Sequence, residues 1–170
     1  PDARTVRHAL MVTAMPLPDA MPVEQGTGVA DVRRAWTWLQ RRRSAPLLEA
    51  RVASPPGLTG AVLVAEQGRL PDRVTYRLRA VAPGALPGSL RFRSSADWLV
   101  PPTGLLSEDD SLQVGLALRP RALSRPGIYG ATVTAWTDDS TLGPVARMPV
   151  TIMVPYEGAV QLRDVRLAGG

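Results

Sequence analysis

Cysteine is absent from this chain of 170 residues, so it can build no disulfide framework, thiol nucleophile or thiolate metal site. The redox compartment therefore stays open. Lysine and asparagine are absent too, and all 20 basic residues are arginine. Alongside abundant alanine, proline, glycine and valine, that bias is what a GC-rich genome produces. The net charge of +5 and pI near 10.9 are then no nucleic-acid signal by themselves. Aromatics are only 5% of the chain and the arginines are scattered without stacking residues beside them, which argues against a nucleic-acid partner. No apolar run approaches the roughly 18 residues that a membrane helix requires, and the N-terminus lacks the basic-then-apolar layout of a signal peptide. No membrane partner is expected, and any export signal would belong to a longer precursor.

What is present is enough for a packed core: 45% of residues are hydrophobic, and the length gives room for one full domain and a fragment, or for one large domain. Val6, Ala9, Leu10 and Thr13 recur at helical spacing behind Asp2, a ready N-cap, which predicts a helix over 2–14. Pro16, Pro18, Pro22, Gly26 and Gly28 then impose a loop before a second helix near Asp31, whose docking face is expected to be Val32, Ala35, Trp36 and Leu39. Beyond Ser44 the periodicity becomes alternating. Strands are expected over 47–53, 60–65, 73–81, 89–93, 111–119, 128–137, 145–154 and 160–167, separated by turn clusters such as Ser54-Pro55-Pro56-Gly57 and Arg125-Pro126-Gly127. Short strands without helical intervals predict an antiparallel sandwich of immunoglobulin or fibronectin type.

Two segments carry a family resemblance. Val6-Arg7-His8-Ala9-Leu10-Met11-Val12-Thr13-Ala14, followed by Gln25-Gly26-Thr27-Gly28-Val29-Ala30-Asp31-Val32-Arg33-Arg34-Ala35-Trp36, resembles the end of a subtilisin-like serine protease domain. There the nucleophilic serine lies upstream of such a helix-loop-helix tail. Asp97-Trp98-Leu99-Val100-Pro101-Pro102, then Ala122-Leu123-Ser124-Arg125-Pro126-Gly127-Ile128-Tyr129-Gly130, then Gly143-Pro144-Val145-Ala146-Arg147-Met148-Pro149-Val150-Thr151-Ile152-Met153-Val154-Pro155 resembles the β-domain that follows the catalytic domain in tripeptidyl peptidase II and related subtilases. The resemblance implies residues 1–45 as the helical tail of a subtilase α/β domain, 46–157 as a β-sandwich and 158–170 as a linker or the first strand of a further domain.

Chemistry is hard to find in the chain itself. The single histidine, His8, lies in a predicted helix near Arg4 and Arg7 with no carboxylate one turn away, so it is expected to pack or face solvent instead of acting as a triad base. The acidic clusters Glu108-Asp109-Asp110 and Asp138-Asp139 lack the spacing of a dedicated calcium loop and are read as solvated turns. Gly26-Thr27-Gly28 lacks a third glycine and a preceding strand, which sets aside a phosphate loop. Arg41-Arg42-Arg43 is read as a helix C-terminus suited to the dipole, with processing at the Arg43–Ser44 bond as the sharper alternative. Trp98 and Tyr129 are expected to be structural, Tyr129 as a tyrosine corner after Gly127.

The expectation is therefore a mainly β fold with N-terminal helices and no catalytic, cofactor-binding or metal residues of its own. Its function would be that of the non-catalytic C-terminal portion of a subtilisin-like serine peptidase, with the sandwich supporting the catalytic domain, the substrate cleft or oligomer contacts. Expected partners are a catalytic domain in the same or a cleaved precursor chain, the parent's peptide substrate and, by the same resemblance, further copies of the protein. The alternative is an extracellular immunoglobulin-like binding or adhesion module. Secreted and cytoplasmic locations both stay open, with the balance toward secreted.

Overall fold

The computed structural model describes residues 1–41, 47–65, 69–80, 86–108, 110–139, 141 and 143–156. The protein is mainly β with a few helices at its N-terminus. The helices α1 (Ala3–Thr13), α2 (Pro22–Gln25) and α3 (Val32–Arg41) come first. They start where their caps dictate: Asp2 accepts the Thr5 N–H at 2.7 Å and Asp31 accepts the Arg34 N–H at 2.9 Å. The capping bond also holds the Asp2 carboxyl below its usual pKa, because the charged form is the better acceptor. One turn, α2, was hidden by its prolines. Pro22 occupies its first position, where no N–H is needed, and Glu24 accepts the Met21 N–H at 2.8 Å.

Nine strands follow among the described residues: β1 (Leu48–Val52), β2 (Ala61–Val64), β3 (Arg73–Ala80), β4 (Arg91–Ser94), β5 (Leu99–Val100), β6 (Leu106–Glu108), β7 (Ser111–Leu118), β8 (Gly127–Trp136) and β9 (Pro144–Val154). The strands expected over the first seven predicted segments that begin at 47 and end at 154 are present within a residue or two. The short β5 and β6 had no periodicity to reveal them, and 160–167 lies outside the described residues. One sheet runs β1-β3-β7-β5 with β6 also on β7, and the other runs β2-β9-β8-β4. This is the two-sheet order of an immunoglobulin domain, four strands against three, with β6 added to the larger sheet and β2 to the smaller. The expected antiparallel pairing needs one correction: β2 lies parallel to β9, Ala61 opposite Val150.

The core fills the space between the sheets. Along β3, Val74, Tyr76 and Leu78 are buried while Arg73, Arg77 and Arg79 are exposed, and β7 buries Leu112, Val114, Leu116 and Leu118 opposite them. From the second sheet come Val133, Ala135, Met148, Val150 and Ile152. Trp98 is buried in the same cluster, and its carbonyl accepts the Arg119 N–H at 2.9 Å, as its expected structural role requires.

Two tyrosines fix the sandwich. Tyr129, near the start of β8, donates its hydroxyl to the Arg125 carbonyl four residues upstream at 2.8 Å, the geometry of a tyrosine corner. Tyr76 is wholly buried. Its hydroxyl donates to the Pro149 carbonyl on β9 and accepts the Ala61 N–H on β2 at 2.9 Å, so one side chain from the first sheet reaches both strands at the parallel seam of the second. Burial pushes its phenol pKa well above the ordinary value.

Tyr76→Phe should cost about 1–3 kcal/mol in urea unfolding, because it strands a buried donor and acceptor, whereas Tyr129→Phe should cost about 0.5–1.5 kcal/mol for a more exposed bond. A raised folded pKa means that the Tyr76 contribution is complete below about pH 10 and is lost as pH rises through the folded value. The wild-type stability should therefore decline with each step above about pH 10, and Tyr76→Phe should show a shallower decline.

Candidate functional site

The helices are a third layer laid on the outer face of the second sheet, and β9 is where they attach. The ring Nε2 of His8 lies 3.0 Å from the Val145 carbonyl, which can only accept, so that nitrogen carries the proton. His8 is buried against Trp38, ring centroids 5.9 Å apart, and Trp38 donates its indole N–H to the Pro144 carbonyl at 2.9 Å. Ala9, Val12, Ala35, Trp38 and Leu47 close a second small core beneath them. Gly143 completes the fit, since a Cβ there would sit 3.0 Å from the Trp38 ring.

The Gln25-Gly26-Thr27-Gly28 segment locks the loop between α1 and α3. The Gln25 side chain accepts the Leu17 N–H at 2.6 Å and donates to the Leu17 and Ala20 carbonyls, which closes the proline-rich stretch on itself. Gly28 has φ +103° and a Cβ on it would lie 2.2 Å from the Met15 carbonyl oxygen, so no other residue fits. That close approach allows Met15 and Val29 to exchange both backbone hydrogen bonds at 2.8 Å. Thr27 gives its carbonyl to Arg147 Nη1 at 3.2 Å. Thus the segments 25–36 and 143–155 meet in one interface.

Between α1, the α2 loop, β1 and β2 opens a groove of about 710 Å³. Arg4, Arg7, Arg51 and Arg147 line it against a single carboxylate, Glu49. Glu49 bonds Arg51 at 2.6 Å and lies 3.8 Å from Arg4. Arg147 is partly buried, its Nε–H has no acceptor, and burial, with Arg34 nearby, pushes its pKa down. A second cavity of about 300 Å³ lies on the other side of the Gln25–Thr27 loop and also touches Arg147.

His8 packs at the seam, on the Val145 carbonyl and the Trp38 ring. Asp138 accepts from Ser89 and lies 3.3 Å from Arg91, which together hold its pKa low, and Asp139 accepts from both the Thr141 N–H (3.0 Å) and its hydroxyl (2.6 Å). They form a bonded turn. Asp110 sits in a turn, while Asp109, Arg42, Arg43 and the Arg43–Ser44 bond lie outside the described residues. Among the described residues no three His, Asp or Glu side chains converge as metal ligands.

The docking face of α3 requires a correction. Ala35 and Trp38 are buried and Leu39 is half-buried, but Val32 and Trp36 are 72% and 58% exposed. Sequence periodicity grouped Trp36 with Ala35 because both are apolar and adjacent. The polar handle of Trp38 is what decided the orientation, since its indole N–H finds the Pro144 carbonyl.

No family model and no curated protein sequence matches the chain. Among solved structures, the titin M3 domain aligns at 14% identity over 65% of this chain and 97% of that one, with a TM-score of 0.31.

A Cβ on Gly130 would lie 2.4 Å from Pro22 Cδ and 2.9 Å from Met21 Sδ, so Gly130→Ala should prise the α2 loop from β8. The cost should be about 1–3 kcal/mol, with faster amide exchange at Met15 and Val29 and unchanged exchange in β3 and β7.

Proposed function

We propose that the chain is the non-catalytic C-terminal portion of a subtilisin-like serine peptidase, in which α1–α3 are the hinge piece between a catalytic domain and the sandwich. The observation that carries this reading is the two-sidedness of the helical layer. Its inner side is spent on β9. Its outer side leaves Val32 and Trp36, one turn apart on α3, and the backbone-paired Met15 and Val29 exposed at 45–72%. Apolar pairs left in water beside a well-packed seam fit a tail whose other neighbour is a protein surface.

The two resembling segments support the same reading, because they come together at Arg147–Thr27 instead of lying apart. In this arrangement the sandwich supplies no catalytic group. It would hold the orientation of the last catalytic-domain helices and border the substrate path. The triad, the peptide specificity and any self-association surface would belong to the parent protein.

The reading requires a Gly-Thr-Ser nucleophile segment shortly upstream of Pro1 and labelling of that serine by a fluorophosphonate probe in the parent protein. A signal peptide or a second sandwich in that place would instead favour an immunoglobulin-like binding module. Trp36→Glu in the parent should leave stability of the isolated chain within about 0.5 kcal/mol, since the residue is exposed, while the parent loses peptidase activity or releases its sandwich to limited proteolysis.

A further inference from the structure

We propose that the arginine-lined groove beside β2 binds an extended acidic peptide segment. Charge is the first argument: four guanidinium groups face one carboxylate, and that carboxylate is already shared by Arg4 and Arg51. Among the described residues neither Arg7 nor Arg147 has a carboxylate within ion-pair distance. Arg147 lines the floor of the groove, partly buried, with its Nη1 held on the Thr27 carbonyl.

The second argument is the edge. β2 ends its sheet, and no described strand pairs with its far side. Ala65 gives its N–H to Met153 on β9 at 2.8 Å, so by the strand's alternation Val62 and Val64 turn their backbone groups outward. Their side chains are exposed at 44% and 54%. An unpaired strand with apolar side chains accepts an added strand, the main chain giving affinity and flanking pockets giving selectivity. The volume of about 710 Å³ suits a few peptide residues. Backbone pairing at β2 and carboxylates on the arginines are thus met by one occupant. The inference is independent of the peptidase reading and survives if the upstream nucleophile is missing.

The test is fluorescence anisotropy of the full chain with fluorescein-labelled hexaglutamate, with hexalysine and inorganic phosphate as comparison probes. Hexaglutamate should bind, hexalysine should not, and phosphate should fail to displace the peptide. The double variant Arg4→Glu/Arg7→Glu, both side chains exposed and so compatible with folding, should weaken binding by about tenfold or more. Val62→Pro, which removes an edge N–H, should also weaken it. Full displacement by phosphate would mean a simple anion site, and an equal loss from Arg91→Glu/Arg93→Glu on β4 would mean diffuse charge attraction; either overturns the proposal. Unchanged binding in Val62→Pro overturns the strand-addition part, and no hexaglutamate binding overturns it entirely.

Discussion

One phenol hydroxyl joins the two sheets, and the remainder of the fold is arranged around it. In immunoglobulin domains a disulfide commonly spans the sheets, but a chain without cysteine must hold them by packing and hydrogen bonds alone. Tyr76 does this from the centre of β3. It takes a donor from β2 and an acceptor from β9, so it also sets where the parallel strand begins. The bridge is strong for the reason that makes it demanding: inside a low-dielectric core each partner left alone would be costly. Tyr129 does the equivalent task at the edge, where β8 is fed by the turn before it.

The strand that receives the Tyr76 bond also receives the helices. β9 pairs on both sides, with β8 antiparallel and β2 parallel, buries Met148, Val150 and Ile152 inward, and covers its outer face with the N-terminal layer. Buried on both faces, it reads as a nearly continuous apolar run. That double burial places the helical segment and the sandwich under one set of constraints, and it brings segments distant in sequence into a single seam. The groove and the exposed apolar pairs are then by-products of where that layer stops.

Most strands were legible because burying one face imposes a period of two, as in Val74-Thr75-Tyr76-Arg77-Leu78. Caps were legible as well, since Asp2 and Asp31 have short carboxylates in front of helical patterns. What sequence did not disclose depended on distant partners. The two-residue β5 exists through its pairing with Leu118 and Ala117, and the orientation of α3 through a carbonyl at Pro144. The groove was invisible for a related reason. Arg4, Arg7, Arg51 and Arg147 look scattered along the chain, and only the folding of α1 over β9 gathers them.

The three hydrogen bonds described across the seam, from His8, Trp38 and Arg147, all end on main-chain carbonyls. A carbonyl belongs to the path of the backbone and not to any side chain. The accepting positions, Val145, Pro144 and Thr27, therefore owe none of these bonds to their side chains, whereas the three donors owe theirs entirely to them. The asymmetry lies within each bond and not between the two layers, since His8 and Trp38 donate from the helices and Arg147 from β9: at each contact one end is written in a residue and the other in geometry.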